Sequence, residues 1–427
     1  PRCSGAYQPV TRPDHEPSLM QPGGGAVRLV FLLFCAEIFS MTGFGTYPAL
    51  LALLRDAWHL KNSEAGLIGG VFFAGYMAAV PVLASFTDRV DARRVYILST
   101  GISAAGTFGF ALFAHGLWSA VLFQTLVGAG LAGTYMPGLK ILTDRLGGPR
   151  LSRYIAIYTS TFGLGTSVSL LLAGLLEPLA GWQWTFAAAG IGPIISGLVV
   201  YLGLPARKQQ NIQDPRPPLL DFRPVLRNRA ALTYIVGYAA HCWELFGLRS
   251  WMVAFLIFSF GMRGHAAGPM VSAAVIAAAV NLLGQPASII GNELAVRHGR
   301  RRAIMTCMAL STVLACLVGF TASAPWWVVV GLLTVYFLLV MGDSASLTAG
   351  LIAASVPSQR GTTMALHSFL GFGAGFVAPL VFGVVLDFAG GAGSTIAWGF
   401  GFSTLALGYA ASLTAFALMG SSRHDAV

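Results

Sequence analysis

Glu37, His241, Glu244, Arg249, Asp343 and His367 all stand inside long apolar stretches of this chain. An ionisable side chain at the centre of a bilayer costs about 3 kcal/mol even on insertion scales, so each must face a cavity or a partner. Two of the carboxylates belong to a near-repeat: Glu37-Ile38-Phe39-Ser40 recurs as Glu244-Leu245-Phe246-Gly247, 207 residues later. A carboxylate in a low-dielectric cavity can load and release a proton or contact a cationic group, which makes Glu37 and Glu244 the first candidates for proton coupling or substrate contact. Asp343, His241 and Arg249 are candidates beside them.

Helical spacing relates these residues to one another. His241 and Glu244 are i, i+3 and share a face, so Glu244 with His241 is expected to titrate differently from Glu37, which has no such neighbour. Arg249 is five residues past Glu244, ~140° round the helix, and so points to another helix or to head groups. Tyr336 and Asp343 fall on one stripe, and Gln124 and Tyr135 on another; Gln124, Tyr135 and Tyr336 are expected to line a cavity. No Ser/His/Asp set, metal-ligand spacing or phosphate loop appears, so neither catalytic residues nor a metal or cofactor is expected. The cysteines Cys3, Cys35, Cys242, Cys307 and Cys316 lack metal-type spacing and read as packing residues.

The elements that must position these groups follow from composition. With 56% hydrophobic and 10% charged residues, and a mean hydropathy of +0.71, this is no ordinary soluble domain, which carries about 25% charged residues. Twelve apolar stretches lie near 29–54, 65–86, 95–115, 118–141, 154–177, 184–205, 231–259, 268–291, 303–321, 326–355, 361–386 and 394–419. Each is long enough to cross a hydrocarbon core of ~30 Å as a helix. Residues 1–28 read as a disordered cytoplasmic arm, 206–230 as a cytoplasmic linker rich in Arg and Pro, and 420–427 as a tail. Two six-helix units, 29–205 and 231–419, remain.

Charge gives the orientation. Of 26 Lys and Arg, only Arg55, Lys61 and Arg263 fall on one set of loops, and Arg249 lies inside a span; the other 22 lie on the opposite side. Short loops rich in Lys and Arg stay in the cytoplasm, so both termini are expected there, in an inner (cytoplasmic) membrane. The net charge of +10 is therefore topology, with membrane lipids rather than nucleic acid as its partner. A monomer is expected.

Further landmarks recur at the offset of the Glu pair. Ala84–Arg94 aligns with Asn292–Arg302, and Arg153 lies 207 residues before Arg360. Such whole-chain duplication is a mark of transporters. The loops Asp88-Arg89-Val90-Asp91-Ala92-Arg93-Arg94 and Arg297-His298-Gly299-Arg300-Arg301-Arg302 resemble the signature of the major facilitator superfamily, as does Gly181-Trp182-Gln183-Trp184. The copies depart from it at Ala84, Asp91, Asn292 and Val296. The resemblance implies an all-α membrane protein of twelve transmembrane helices in two pseudo-symmetric six-helix bundles, with spans one, four, seven and ten around a central cavity. It also implies a conformational latch at Asp88, Arg89, Arg93, Arg94, Arg297 and Arg301, with Asp88 near Gly361 in the outward-facing state.

The resembling family's finer signatures are missing. Gln124 stands where proton-coupled members carry Arg, span five lacks the Gly-Pro pair of drug antiporters, and spans two and eight lack the Arg pair of nitrate porters. The expected function is secondary active transport of a small polar or amphipathic solute by alternating access, coupled to protons. A drug or metabolite efflux antiporter and a non-transporting sensor or assembly factor of the same fold are the alternatives.

Overall fold

The computed structural model describes residues 24–87, 89–148, 150–206, 222–262, 269–356 and 359–419. The first half is built from α1 (Gly24–Ser40), α2 (Thr46–Ala57), α3 (Asn62–Thr87), α4 (Ala92–Phe113), α5 (Leu117–Arg145), α6 (Leu151–Thr159) and α7 (Thr161–Gly203). A short α8 (Arg223–Arg227) precedes the second half. That half contains α9 (Arg229–Gly261), α10 (Pro269–His298), α11 (Arg300–Val318), α12 (Trp326–Gly342), α13 (Ser344–Ala354), α14 (Arg360–Phe388), α15 (Thr395–Ser403) and α16 (Leu407–Met419). No β-strand occurs among the described residues.

Eleven helical stretches are long and apolar enough to cross a membrane, but one of them, Arg153–Gly203, has 51 residues. At 1.5 Å per residue that is roughly twice the length a single crossing needs. Its backbone leaves the helical region at Gly181, where φ is +83°, a conformation that costs glycine nothing and other residues strain. Gly181 therefore turns one continuous apolar run into the fifth and sixth crossings, and the fold has the twelve expected. The first crossing begins at Gly24, with Ala26 already buried, so its helix starts inside the segment expected as an arm. In the expected linker, 207–221 lie outside the described residues and α8 occupies the remainder.

Large apolar side chains cover the outside of the bundle: Leu98, Leu112 and Leu179 are each at least 70% exposed. A soluble protein would bury them, whereas lipid leaves them without cost. Trp118, Trp184 and Trp327 are exposed near the end of the bundle away from the termini, at the depth where amphipathic rings favour the head groups.

The two halves meet most closely through α3 and α14, which run antiparallel. A Cβ on Gly66 would stand 2.2 Å from the Pro379 carbonyl oxygen, and one on Gly70 2.2 Å from that of Phe376. Only glycine permits that approach. Nearer mid-height, aromatic rings cross between the halves: Phe73 packs on Phe246 and Tyr76 on Phe372, with ring centroids 4.1 Å apart in both pairs.

Candidate functional site

In the first crossing the helix stops at Ser40 and resumes at Thr46. Ser169 of α7 serves both sides of the break: its hydroxyl donates to the Thr42 carbonyl, and its oxygen accepts from the Gly45 N–H at 2.9 Å. One turn before the break lies Glu37, fully buried. Its Oε2 accepts from the hydroxyls of Tyr96 on α4 at 3.2 Å and Tyr158 on α6 at 3.3 Å, and its Oε1 from Thr134 on α5 at 3.4 Å. Tyr96 in turn meets the Ser196 hydroxyl of α7 at 3.0 Å. Glu37 is thus held by neutral hydroxyls from three helices, and no cation contacts it among the described residues. Tyr135, expected in the cavity, stacks on Tyr158 at 5.8 Å, and its carbonyl accepts the Tyr158 hydroxyl at 2.9 Å.

The second half holds its carboxylates differently. Glu244 Oε2 accepts from the Ser311 hydroxyl of α11 at 3.1 Å, and the Tyr336 hydroxyl of α12 also bears on its carboxylate. His241 does not pair with Glu244, although the two share a helix face. Its Nδ1 lies 2.7 Å from Oδ1 of Asp343, at the turn between α12 and α13, where that carboxylate is brought to it from another helix. Adjacency along one helix gives side chains a shared direction, and the partner across the interface decides which meets the imidazole. Behind it, Tyr238 stacks between His241, 5.8 Å away, and His367, 3.7 Å away.

Arg249 points away from both carboxylates, as its spacing indicated. Its Nε donates to Asn281 Oδ1 of α10 at 2.8 Å, and Asn281 is itself anchored to the Ala277 carbonyl at 2.8 Å. The guanidinium lies over the rings of Phe337, 5.5 Å away, and Phe162 of the other half, 5.7 Å away. With Ser250 it closes a cavity whose remaining walls come from the first half, including Phe44, Phe72, Phe73, Gln124 and Thr166. The cavity encloses about 20 Å³, room for one water-sized group.

Of the expected latch residues, Arg93 and Arg297 meet partners within their own halves. Asp88 lies outside the described residues. Arg93 donates from Nη2 to the Tyr201 carbonyl at 2.6 Å and lies over the Tyr201 ring at 5.2 Å, so it neutralises the C-terminal end of α7. Arg297 pairs with Glu293 one turn back at 3.0 Å. Arg89, Arg94 and Arg301 are exposed. No heavy atom of the described residues lies within 4 Å of a Cβ placed on Gly361.

A hydrogen-bonded contact between the halves is formed at the other end. Asp387, near the end of α14, accepts from the Asn62 N–H at 2.9 Å, the Asn62 amide at 2.8 Å and the Ser63 N–H at 2.8 Å. These are the free N–H groups that begin α3, where the helix dipole favours a carboxylate. The α3–α14 pair is therefore tied and tightly packed away from the termini, whereas no such close approach is seen at Gly361 among the described residues.

Asp387, Tyr96, Tyr158, Ser311 and Asn281 did not stand out in the sequence. Hydroxyls are common in apolar spans, and nothing local separates a ligand of Glu37 from a Ser or Thr bonded to its own helix. Asn281, an amide within an Ala-rich run, is the one of them that its local sequence could have flagged.

Comparison with known proteins agrees with this architecture. A family model described as Major Facilitator Superfamily matches residues 32–379. Human protein spinster homolog 1 is 25% identical over 259 residues, 58% of this chain and 48% of that protein. The chain thus aligns with about half the length of the curated relatives it matches. Among solved structures, a bacterial homolog to the human lysosomal transporter Spinster, in an inward-facing and occupied conformation, superimposes with a TM-score of 0.76 at 16% identity, covering 93% of this chain and 96% of that one. The nucleoside transporter NupG gives a TM-score of 0.72 at 16% identity, covering 94% and 100%. At these identities the structures show a shared fold.

Proposed function

The chain belongs to the Major Facilitator Superfamily, a family of membrane transporters rather than enzymes, and we propose that it moves a small polar or amphipathic solute across the inner membrane by alternating access, coupled to protons. The observation that carries the coupling is the setting of Glu37. A fully buried carboxylate surrounded by hydroxyls and without a cation has two ways to be stable: protonated, or charged and held by every hydroxyl around it. Rearrangement of α4, α5 and α6 around it changes the number of hydroxyls in reach, and so changes which form is favoured. Glu244, at the matching position of the other half, is held through one oxygen by Ser311. It supplies a second proton site with a weaker grip.

Alternating access draws support from the asymmetry of the α3–α14 contact. With the arginine-rich loops in the cytoplasm, the end tied by Asp387 faces outward, and the described state is closed on that side. The bacterial Spinster homolog that it resembles was solved facing inward.

The test is flux. A thermal-shift panel on purified protein identifies a stabilising solute, and proteoliposomes with an imposed pH gradient then report solute uptake and proton movement together. The expected result is solute-driven proton flux that Glu37→Gln abolishes without loss of folded yield. Solute flux that is indifferent to the gradient and to both Glu37→Gln and Glu244→Gln would overturn the proton coupling; no flux of any stabilising solute would overturn transport.

A further inference from the structure

The three buried carboxylates Glu37, Glu244 and Asp343 each meet a polar partner suited to them, while Arg249 does not. Glu37 has its hydroxyls, Glu244 has Ser311, and Asp343 has His241. Arg249 is 7% exposed and reaches no carboxylate among the described residues; its one hydrogen bond, from Nε, goes to a neutral amide. Nη1 is buried with no partner at all. The same cavity is lined by Gln124, 2% exposed, whose Oε1 is also without a partner. Helices of both halves therefore hold an incomplete polar site at this cavity: a guanidinium held at Nε by Asn281 and flanked by two aromatic rings, with Nη1 left unpartnered among the described residues.

Resting on the transporter reading above, we propose that Arg249 is the recognition group for an anionic solute, a carboxylate or phosphate monoester on a small apolar or aromatic body. The guanidinium presents paired N–H donors whose geometry fits the oxygens of either group. The Gln124 amide adds two donors and an acceptor for the same head group. Phe44, Phe72 and Phe73 offer the apolar body edges and faces. Anchoring through Nε leaves the terminal nitrogens free, which is the arrangement a ligand needs and an internal ion pair does not. Because Arg249 belongs to the second half and Gln124 to the first, a bound anion bridges the halves. Separation of the halves opens the space that the closed state reduces to one water-sized cavity.

The experiment is a thermal unfolding titration of the full chain in neutral detergent with benzoate, phenyl phosphate and the uncharged isostere benzamide. Benzoate and phenyl phosphate are expected to raise the unfolding midpoint and benzamide to leave it unchanged. Arg249→Gln is expected to weaken the anion response by about tenfold or more, and Arg249→Lys to retain part of it. Equal shifts from all three compounds on the wild type would overturn the proposal whether or not the variants fold. So would an anion response in Arg249→Gln equal to that of the wild type, since the anion would then sit on the basic loops. A response to dodecyl phosphate without one to phenyl phosphate would overturn the small-solute assignment and move the site to a lipid head group. Anion binding lost in Arg249→Gln but without flux in proteoliposomes would leave the anion site standing and remove transport; flux of a neutral solute with no anion response would do the reverse.

Discussion

Asp387 binds Asn62, 325 residues earlier in the chain, through both the backbone N–H and the side-chain amide, at 2.9 and 2.8 Å. The carboxylate of one half thereby caps the first turn of a helix in the other. A charged cap of this kind is worth about 1 kcal/mol, a roughly fivefold change in a two-state ratio. In protein spin-labelled at Lys61→Cys and Phe388→Cys, with the native cysteines replaced, Asp387→Ala is expected to lengthen the distance distribution across this end. An unchanged distribution would show that the cap does not hold the closed state.

Close backbone approach predicts a stronger effect at Gly70. Its Cβ would stand 2.2 Å from the Phe376 carbonyl oxygen, a contact that neither helix can relieve by a rotamer change. Gly70→Ala is expected to wedge α3 from α14, raise thiol labelling at cysteines introduced on that end, and lower the thermal midpoint. Gly361→Ala, where the surrounding space is open among the described residues, serves as the matched control and should leave both measurements near wild type.

The hydroxyl cage of Glu37 can be dismantled one donor at a time. Tyr96→Phe and Tyr158→Phe each remove one hydrogen bond to Oε2 while preserving the ring. Hydrogen bonds to a charged group are worth about 1.5–3 kcal/mol, so each change should move the pH midpoint of proton-driven flux by roughly one unit or more if the cage sets that midpoint. A midpoint that stays in place in both variants would exclude the cage from coupling.

Asp343 and His241 form a buried pair at 2.7 Å. Removing one member strands the other, at a cost of about 3–5 kcal/mol, whereas removing both restores a neutral site. Asp343→Asn and His241→Gln are each expected to lower thermal stability about as much as the double variant does, so that the double loses clearly less than the sum of the two. Additive losses in this double-mutant cycle would mean that the pair carries no coupling.

Much of the architecture was written in the chain. Twelve crossings, two halves and the paired Glu37 and Glu244 follow from apolar length and from a repeat, because a helix in lipid must satisfy its own backbone and declares itself by composition alone. The directions of Arg249 and Glu244 on α9 were legible for the same reason, being set by helical pitch. Partners were decided by tertiary structure. His241 shares a face with Glu244 yet meets Asp343; Glu37 is gripped by Tyr96, Thr134 and Tyr158 from three other helices; Asp387 closes on Asn62 of the opposite half. Each of these contacts depends on how one helix is rotated and set in depth against another, and that is fixed by packing summed over many small residues such as Gly66 and Gly70. Sequence determined which groups must be satisfied inside the membrane, and the fold determined by whom, leaving Arg249 Nη1 without a partner among the described residues.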